Sequence, residues 1–129
     1  MPGLVAAARR NLKGCPIYFG PEHAAALLAQ FQETASYRHW QPLAVAIMAN
    51  HIHIVVGVPG DPDPEKILGD FKSYGSRALN RRWGKPESET WWTESGSKRK
   101  LPTEQGIRNA IEYVRNQPNP LLIWVAEGY

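Results

Sequence analysis

The chain has 129 residues, of which 43% are hydrophobic, and its 15 Lys and Arg against 12 Asp and Glu leave a net charge of +3. That length suits one domain, residues 1–129, with a modest core that needs no staples, and the lone Cys15 excludes an internal disulfide. No apolar run approaches the length of a membrane span and no signal-peptide pattern opens the chain, which points to a reducing, cytoplasmic setting.

Taken in chain order, "LVAAARRNL" before Gly14 is expected to form a short first strand. In "GPEHAAALLAQFQETAS", Pro21 suits a first helical turn, and Ala24, Leu27, Leu28, Phe31 and Ala35 recur at helical spacing. "WQPLAVAIM" and "HIHIVVGV" are two apolar, branched runs separated by Ala49 and Asn50, the pattern of an antiparallel hairpin with a tight turn. Asp63 followed by Pro64 starts a second helix, which runs to about Trp83 and is stopped by Gly84 and Pro86. Trp91, Trp92 and Thr93 favour an extended piece, with "SGSKRK" as a basic strand or loop. A third helix begins after Pro102 with Thr103 as its cap and ends before Pro118, and "LLIWVAE" supplies a short edge strand. This order predicts an α+β fold, a ferredoxin-like antiparallel sheet with helices packed on one face. No internal repeat or low-complexity linker interrupts it.

The basic residues cluster. Lys72, Arg77, Arg81, Arg82 and Lys85 form one group, and Lys98, Arg99 and Lys100 another. Each reads either as the solvated face of its element or as a local surface for a polyanion, which the small net charge would conceal.

The stretch "MANHIHIVVGV" places His51 and His53 two residues apart in an otherwise apolar strand. With period two they project from one face, their side-chain roots roughly 6–7 Å apart. Such a pair serves a solvated strand face or a backbone-bonded core as readily as it serves a metal ion, so the surroundings have to decide. In the third helix Ile107, Ala110, Ile111 and Val114 make the packing stripe, while Tyr113 and Gln117 stand one turn apart and well off its centre. A phenol and a carboxamide beside a histidine pair would supply a nucleophile and a third ligand. An amphipathic tyrosine at the core edge with a solvated glutamine is the plainer alternative. Asn50 reads as a turn residue, and Trp91 and Trp92 read either as core or as a platform for unpaired bases.

"NHIHIVV" resembles the HUH motif (histidine, hydrophobic residue, histidine), and "EYVRNQPNP" resembles the later helix that carries a tyrosine with an amide four residues on. Together with the basic helix "FKSYGSRALNRRWG" they resemble the single-tyrosine HUH transposases, including the REP-associated tyrosine transposases. That resemblance implies an endonuclease and strand transferase acting on single-stranded DNA, often folded as a hairpin. By the same carry-over His51, His53 and Gln117 would hold Mg²⁺ or Mn²⁺, and Tyr113 would attack to form a 5′-phosphotyrosine. It implies DNA contacts from Lys72, Arg77, Arg81, Arg82, Lys98, Arg99 and Lys100, and a homodimer with composite active sites. One departure is that Pro118 is followed by Asn119 and Pro120 instead of the valine of the REP-associated group, which sets DNA recognition apart from that group. Two rival readings stand beside this one, a catalytically inactive or domesticated DNA-binding module of the same fold, and a small zinc hydrolase using the histidine pair.

Overall fold

The computed structural model describes residues 3–10 and 19–129, except for the side chains of residues 9–10 and 93–95. Cys15 and the end of the first predicted strand lie outside the described residues. The elements run β1 (Gly3–Arg10), α1 (Pro21–Arg38), β2 (Gln41–Ile47), β3 (His51–Gly57), α2 (Pro64–Trp83), β4 (Trp92–Leu101), α3 (Glu104–Arg115) and β5 (Leu122–Val125). The five strands form one antiparallel sheet in the order β4-β1-β3-β2-β5.

Local chemistry accounts for where the helices begin and end. Asp63 accepts a hydrogen bond from the Glu65 N–H and Pro64 takes the first helical position of α2, while Gly84 ends it at φ 77°, a conformation that favours glycine. Thr103 caps α3 by accepting from the Gly106 N–H at 3.0 Å. The β2–β3 hairpin closes through Ala49 and Asn50, with the Met48 N–H donating to the His51 carbonyl at 2.9 Å.

The core has two halves, one on each side of the sheet. Leu4, Ala6 and Ala8 of β1 and Ile52, Ile54 and Val56 of β3 pack against Leu27 and Phe31 of α1 and Ile67 and Phe71 of α2. The alternate positions, among them Ala44, Ala46 and Val55, pack against Ile107, Ala110, Ile111 and Val114 of α3. The antiparallel α+β sheet is as expected, but the helices divide between its faces instead of sharing one. The physical reason is in β2 and β3, where residues 43–47 and 52–57 are buried at consecutive positions, so each face needs a cover. Burying Ile107, Ile111 and Val114 contributes on the order of 1.5–3 kcal/mol each, which holds α3 against the second face.

Trp91 and Trp92 are buried, with Trp91 Nε1 donating to Asn80 Oδ1 and Trp92 Nε1 to the Lys72 carbonyl. They belong to the core and offer no stacking platform. Among the described residues, no helix is long and apolar enough to cross a membrane.

Candidate active site

The α3 side of the sheet is where the chemistry gathers. His51 and His53 pair across the sheet with Arg9 and Ala7 of β1, and His53 lies opposite Ala46 of β2, one of the α3-facing positions. Their rings stand 5.0 Å apart between centroids and nearly perpendicular, at 86°. On α3, Tyr113 sits beside the buried Ala110 and Val114, so its ring leaves the helix at the margin of the packed stripe. It reaches the His53 ring edge-on at 5.7 Å and 90° and remains 60% exposed. The three rings thus form one contiguous group with a phenol open to solvent.

Gln117 lies just past the C-terminus of α3, where its Nε2 donates to the Tyr113 carbonyl at 3.2 Å. The amide is therefore anchored to the turn that carries the phenol, and its oxygen keeps its acceptor capacity. Asn50 Oδ1 meets His51 Nδ1 at 2.6 Å. Sequence reading assigned Asn50 to the turn alone. Its position directly before the first histidine was the available signal.

A groove of about 510 Å³ opens beside the rings, floored by Val5 and Ala7 and walled by His53, Tyr113 and Asn109 on one side and Ser97 and Arg99 on the other. Lys98 and Arg99 of β4 both border it, and strand alternation decides which side chain faces the rings. Arg99 is opposite Val5 and shares the face of the rings. Lys98 and Lys100 are opposite Ala6 and Leu4, residues of the other face. Accordingly Lys98 Nζ pairs with Glu65 at 2.7 Å and Lys100 Nζ with Asp61 at 2.7 Å. Ser97 and Asn109 were not singled out from the sequence, because nothing local marks a polar residue as lining a groove between two elements.

The basic residues of α2 lie on the side of the sheet away from the rings. Arg77 stacks over Tyr74 at 5.1 Å, Arg82 over Trp83 at 4.5 Å, and Arg81 reaches Gln30 Oε1 at 3.5 Å. Lys72 lines a second groove, of about 520 Å³, between α2 and β4 with Ser73, Ser76 and Thr90. That groove is slightly the larger, but it holds no histidine and no tyrosine, so the ring group marks the better site for chemistry. Tyr74 belongs to this far side too, with the sheet between it and His53.

A sequence model described as "Transposase IS200 like" matches residues 17–117, most of the chain and all four of His51, His53, Tyr113 and Gln117. The chain belongs to the IS200-like transposase family. Solved structures agree at the level of the fold. A REP-associated tyrosine transposase bound to a REP hairpin superposes with a TM-score of 0.62 at 14% identity, over 88% of this chain and 63% of that one. The IS200-like chain thus spans less than two thirds of that enzyme's length. A Deinococcus radiodurans protein described as a transposase gives a TM-score of 0.62 at 15% identity over 92% of each chain. A bacterial tRNA-histidine guanylyltransferase-like protein in complex with GTP gives 0.55 at 13% identity over 100% of this chain and 77% of that one. The last shows that this sheet also serves other chemistry, so the family rests on the sequence match and not on the fold. No curated protein matches the chain.

Proposed function

We propose that this IS200-like transposase is a divalent-metal-dependent endonuclease and strand transferase for single-stranded DNA, with Tyr113 as its nucleophile. The observation that carries this reading is the edge-on contact of Tyr113 with His53, in a groove that also holds Arg99. A phenol that is 60% exposed yet meets an imidazole edge-on, in a groove that a guanidinium also lines, is not placed there by burial.

The donor set fits Mg²⁺ or Mn²⁺. The two imidazoles come from one strand face, and the Gln117 carboxamide oxygen is held one turn beyond the phenol. Among the described residues no three of His, Cys, Asp and Glu come together, and the Gln117 amide oxygen would supply a third donor beside the histidine pair. Imidazole binds zinc as well, and it is the harder oxygen donor and a phosphodiester substrate that favour Mg²⁺ or Mn²⁺ over the zinc hydrolase reading. When bound, the ion would polarise a non-bridging phosphate oxygen and orient the scissile bond.

The protein's own groups perform the remaining work. Tyr113 Oη loses its proton as it forms the new bond to phosphorus, the bond from phosphorus to the 3′ oxygen breaks, and that oxygen gains a proton to leave as a 3′-hydroxyl, so the step is proton-neutral. The product is a 5′-phosphotyrosine, which retains the phosphodiester's energy so that a later 3′-hydroxyl can reverse the step on another end. Arg99 is placed to hold a phosphate of the strand in the groove. The REP hairpin bound to one structural neighbour supports a hairpin-bearing single strand as the substrate. The arginines of α2, on the other side of the sheet, would then meet a part of the DNA away from the scissile phosphate.

The resemblance leads to a homodimer with composite sites. Here Tyr113 and His53 meet within one chain, and α3 packs through Ile107, Ile111 and Val114 on Ala44, Ala46 and Val55 of its own sheet. We therefore propose that each copy carries a full site, whether or not two copies associate.

The test is incubation with single-stranded DNA from the flanks of the gene, with Mg²⁺ or Mn²⁺, followed by denaturing electrophoresis. A metal-dependent covalent adduct is the expected result. Retention of the DNA without any nick or adduct would instead identify a binding module of the same fold.

A further inference from the structure

Asn50 occupies a turn whose backbone does not require asparagine. Asparagine is favoured in turns because it tolerates positive φ and because its side chain can hydrogen-bond nearby backbone. The non-glycine residues with positive φ among those described are His39, Glu89 and Asn119, and neither Ala49 nor Asn50 is one of them. The turn is also held without the Asn50 side chain, since the Met48 N–H donates to the His51 carbonyl and the Phe19 N–H to the Ala49 carbonyl, each at 2.9 Å. What the side chain does is accept a hydrogen bond from the next residue's ring, Oδ1 to Nδ1 of His51 at 2.6 Å.

That bond has a direction. A carboxamide oxygen has no proton to give, so the shared hydrogen belongs to the imidazole. In neutral His51 the proton then sits on Nδ1 and the lone pair on Nε2, the reverse of the form that a histidine side chain prefers in water. Only the nitrogen with the lone pair can bind a cation, and the other nitrogen's hydrogen bond sets which one that is. The short distance and the clamped turn also restrict the ring's rotation, which matters beside His53, whose ring lies 5.0 Å away and nearly perpendicular.

We propose that Asn50 is a positioning residue that selects the Nδ1–H tautomer of His51 and fixes its ring, so that Nε2 is the nitrogen offered to the ion. This rests on the reading of His51 as a metal donor, and the two stand or fall on different measurements.

The tautomer is read first, on metal-free protein with ¹⁵N-labelled histidine in mildly alkaline buffer, by long-range ¹H–¹⁵N correlation. Mn²⁺ affinity is then measured calorimetrically without DNA. We expect Nδ1–H for His51 in the wild type and in Asn50→Asp, which keeps an acceptor oxygen in place. Asn50→Leu keeps the size but not the acceptor and should move the proton to Nε2. It should also weaken Mn²⁺ binding by roughly 10- to 100-fold, the usual loss when the partner of a ligand histidine is removed. Asn50→Asp should restore the affinity. Asn50→Ala gives the same comparison if the leucine variant does not fold. An Nε2–H tautomer in the wild type, or leucine and alanine variants that bind Mn²⁺ as the wild type does, would overturn the proposal. A wild-type protein that binds no Mn²⁺ would overturn the metal reading itself, whatever the tautomer.

Discussion

Tyr113 and His53 stand edge to face, 5.7 Å between ring centroids and 90° between planes, although 60 positions separate them in the chain. Tyr74 lies closer to the histidines in sequence and sits on a more basic helix, yet α2 packs on the other side of the sheet and Arg77 covers the Tyr74 ring. We therefore expect Tyr113→Phe to retain DNA and metal binding but to form no covalent protein–DNA species. Tyr74→Phe should form one, with at most a loss of stability. The adduct appears as a shifted band on a denaturing gel, and mass spectrometry of the digested conjugate locates it. A nucleotide found on Tyr74 would refute the assignment.

Removing either imidazole tests the metal site. His51→Ala and His53→Ala are expected to lower cleavage below detection while leaving the far-ultraviolet circular dichroism spectrum and most DNA affinity unchanged. His51 is half-buried and His53 buried, but neither belongs to either half of the hydrophobic core. A double variant that nicks DNA at the wild-type rate with ordinary Mg²⁺ would end the HUH reading.

Salt dependence separates the basic residues. Each phosphate contact with a single strand should contribute a slope of roughly −0.7 to the dependence of log affinity on log salt. Arg99→Ala and alanine changes at Arg77, Arg81 and Arg82 are expected to make the slope shallower. Lys98→Ala and Lys100→Ala should change it less, since both lysines already face carboxylates. Arg99→Ala alone should also slow cleavage at saturating DNA, because Arg99 alternates onto the face of Tyr113, whereas Lys98, which also borders the groove, holds its Nζ against Glu65. Equal slopes in all six variants would return both basic groups to ordinary solvated surface.

Complementation addresses the composite site. When Tyr113→Phe and His53→Ala proteins are mixed, exchange of α3 between copies would bring an intact tyrosine to an intact histidine pair and restore the adduct. With α3 packed on β2 and β3 of its own chain, the mixture is expected to stay inactive. Recovery to a substantial fraction of wild-type adduct would show that the helices are exchanged.

Gly96 offers a stability test away from the chemistry. A Cβ there would come within 2.7 Å of the Ala7 carbonyl oxygen and 2.8 Å of Leu68 Cδ2, so β4 would have to move relative to β1 and α2. Gly96→Ala should cost about 1–3 kcal/mol, the usual range for overpacking, measured by urea unfolding. An unchanged midpoint would mean that β4 lies farther from α2 than described.

Much of this protein is written locally. Asp63 with Pro64, and Thr103 ahead of an apolar stripe, mark helix starts because capping involves residues two or three apart. The hairpin and the shared face of His51 and His53 follow from the period of a strand, and the Tyr113–Gln117 spacing follows from the period of a helix. The sidedness of the molecule is not local. That α3 covers the opposite face from α1 and α2 was hinted at by the consecutive apolar residues 43–47 and 54–56, but which helix goes to which face depends on how the chain crosses between strands. The same decision separates Arg99 from Lys98 and Lys100, puts Tyr113 and not Tyr74 beside the histidines, and buries Trp91 and Trp92 under α1 and α2. Residues adjacent in sequence then point to opposite faces of a sheet whose two sides carry different neighbours, and only the packed structure says which side holds the site.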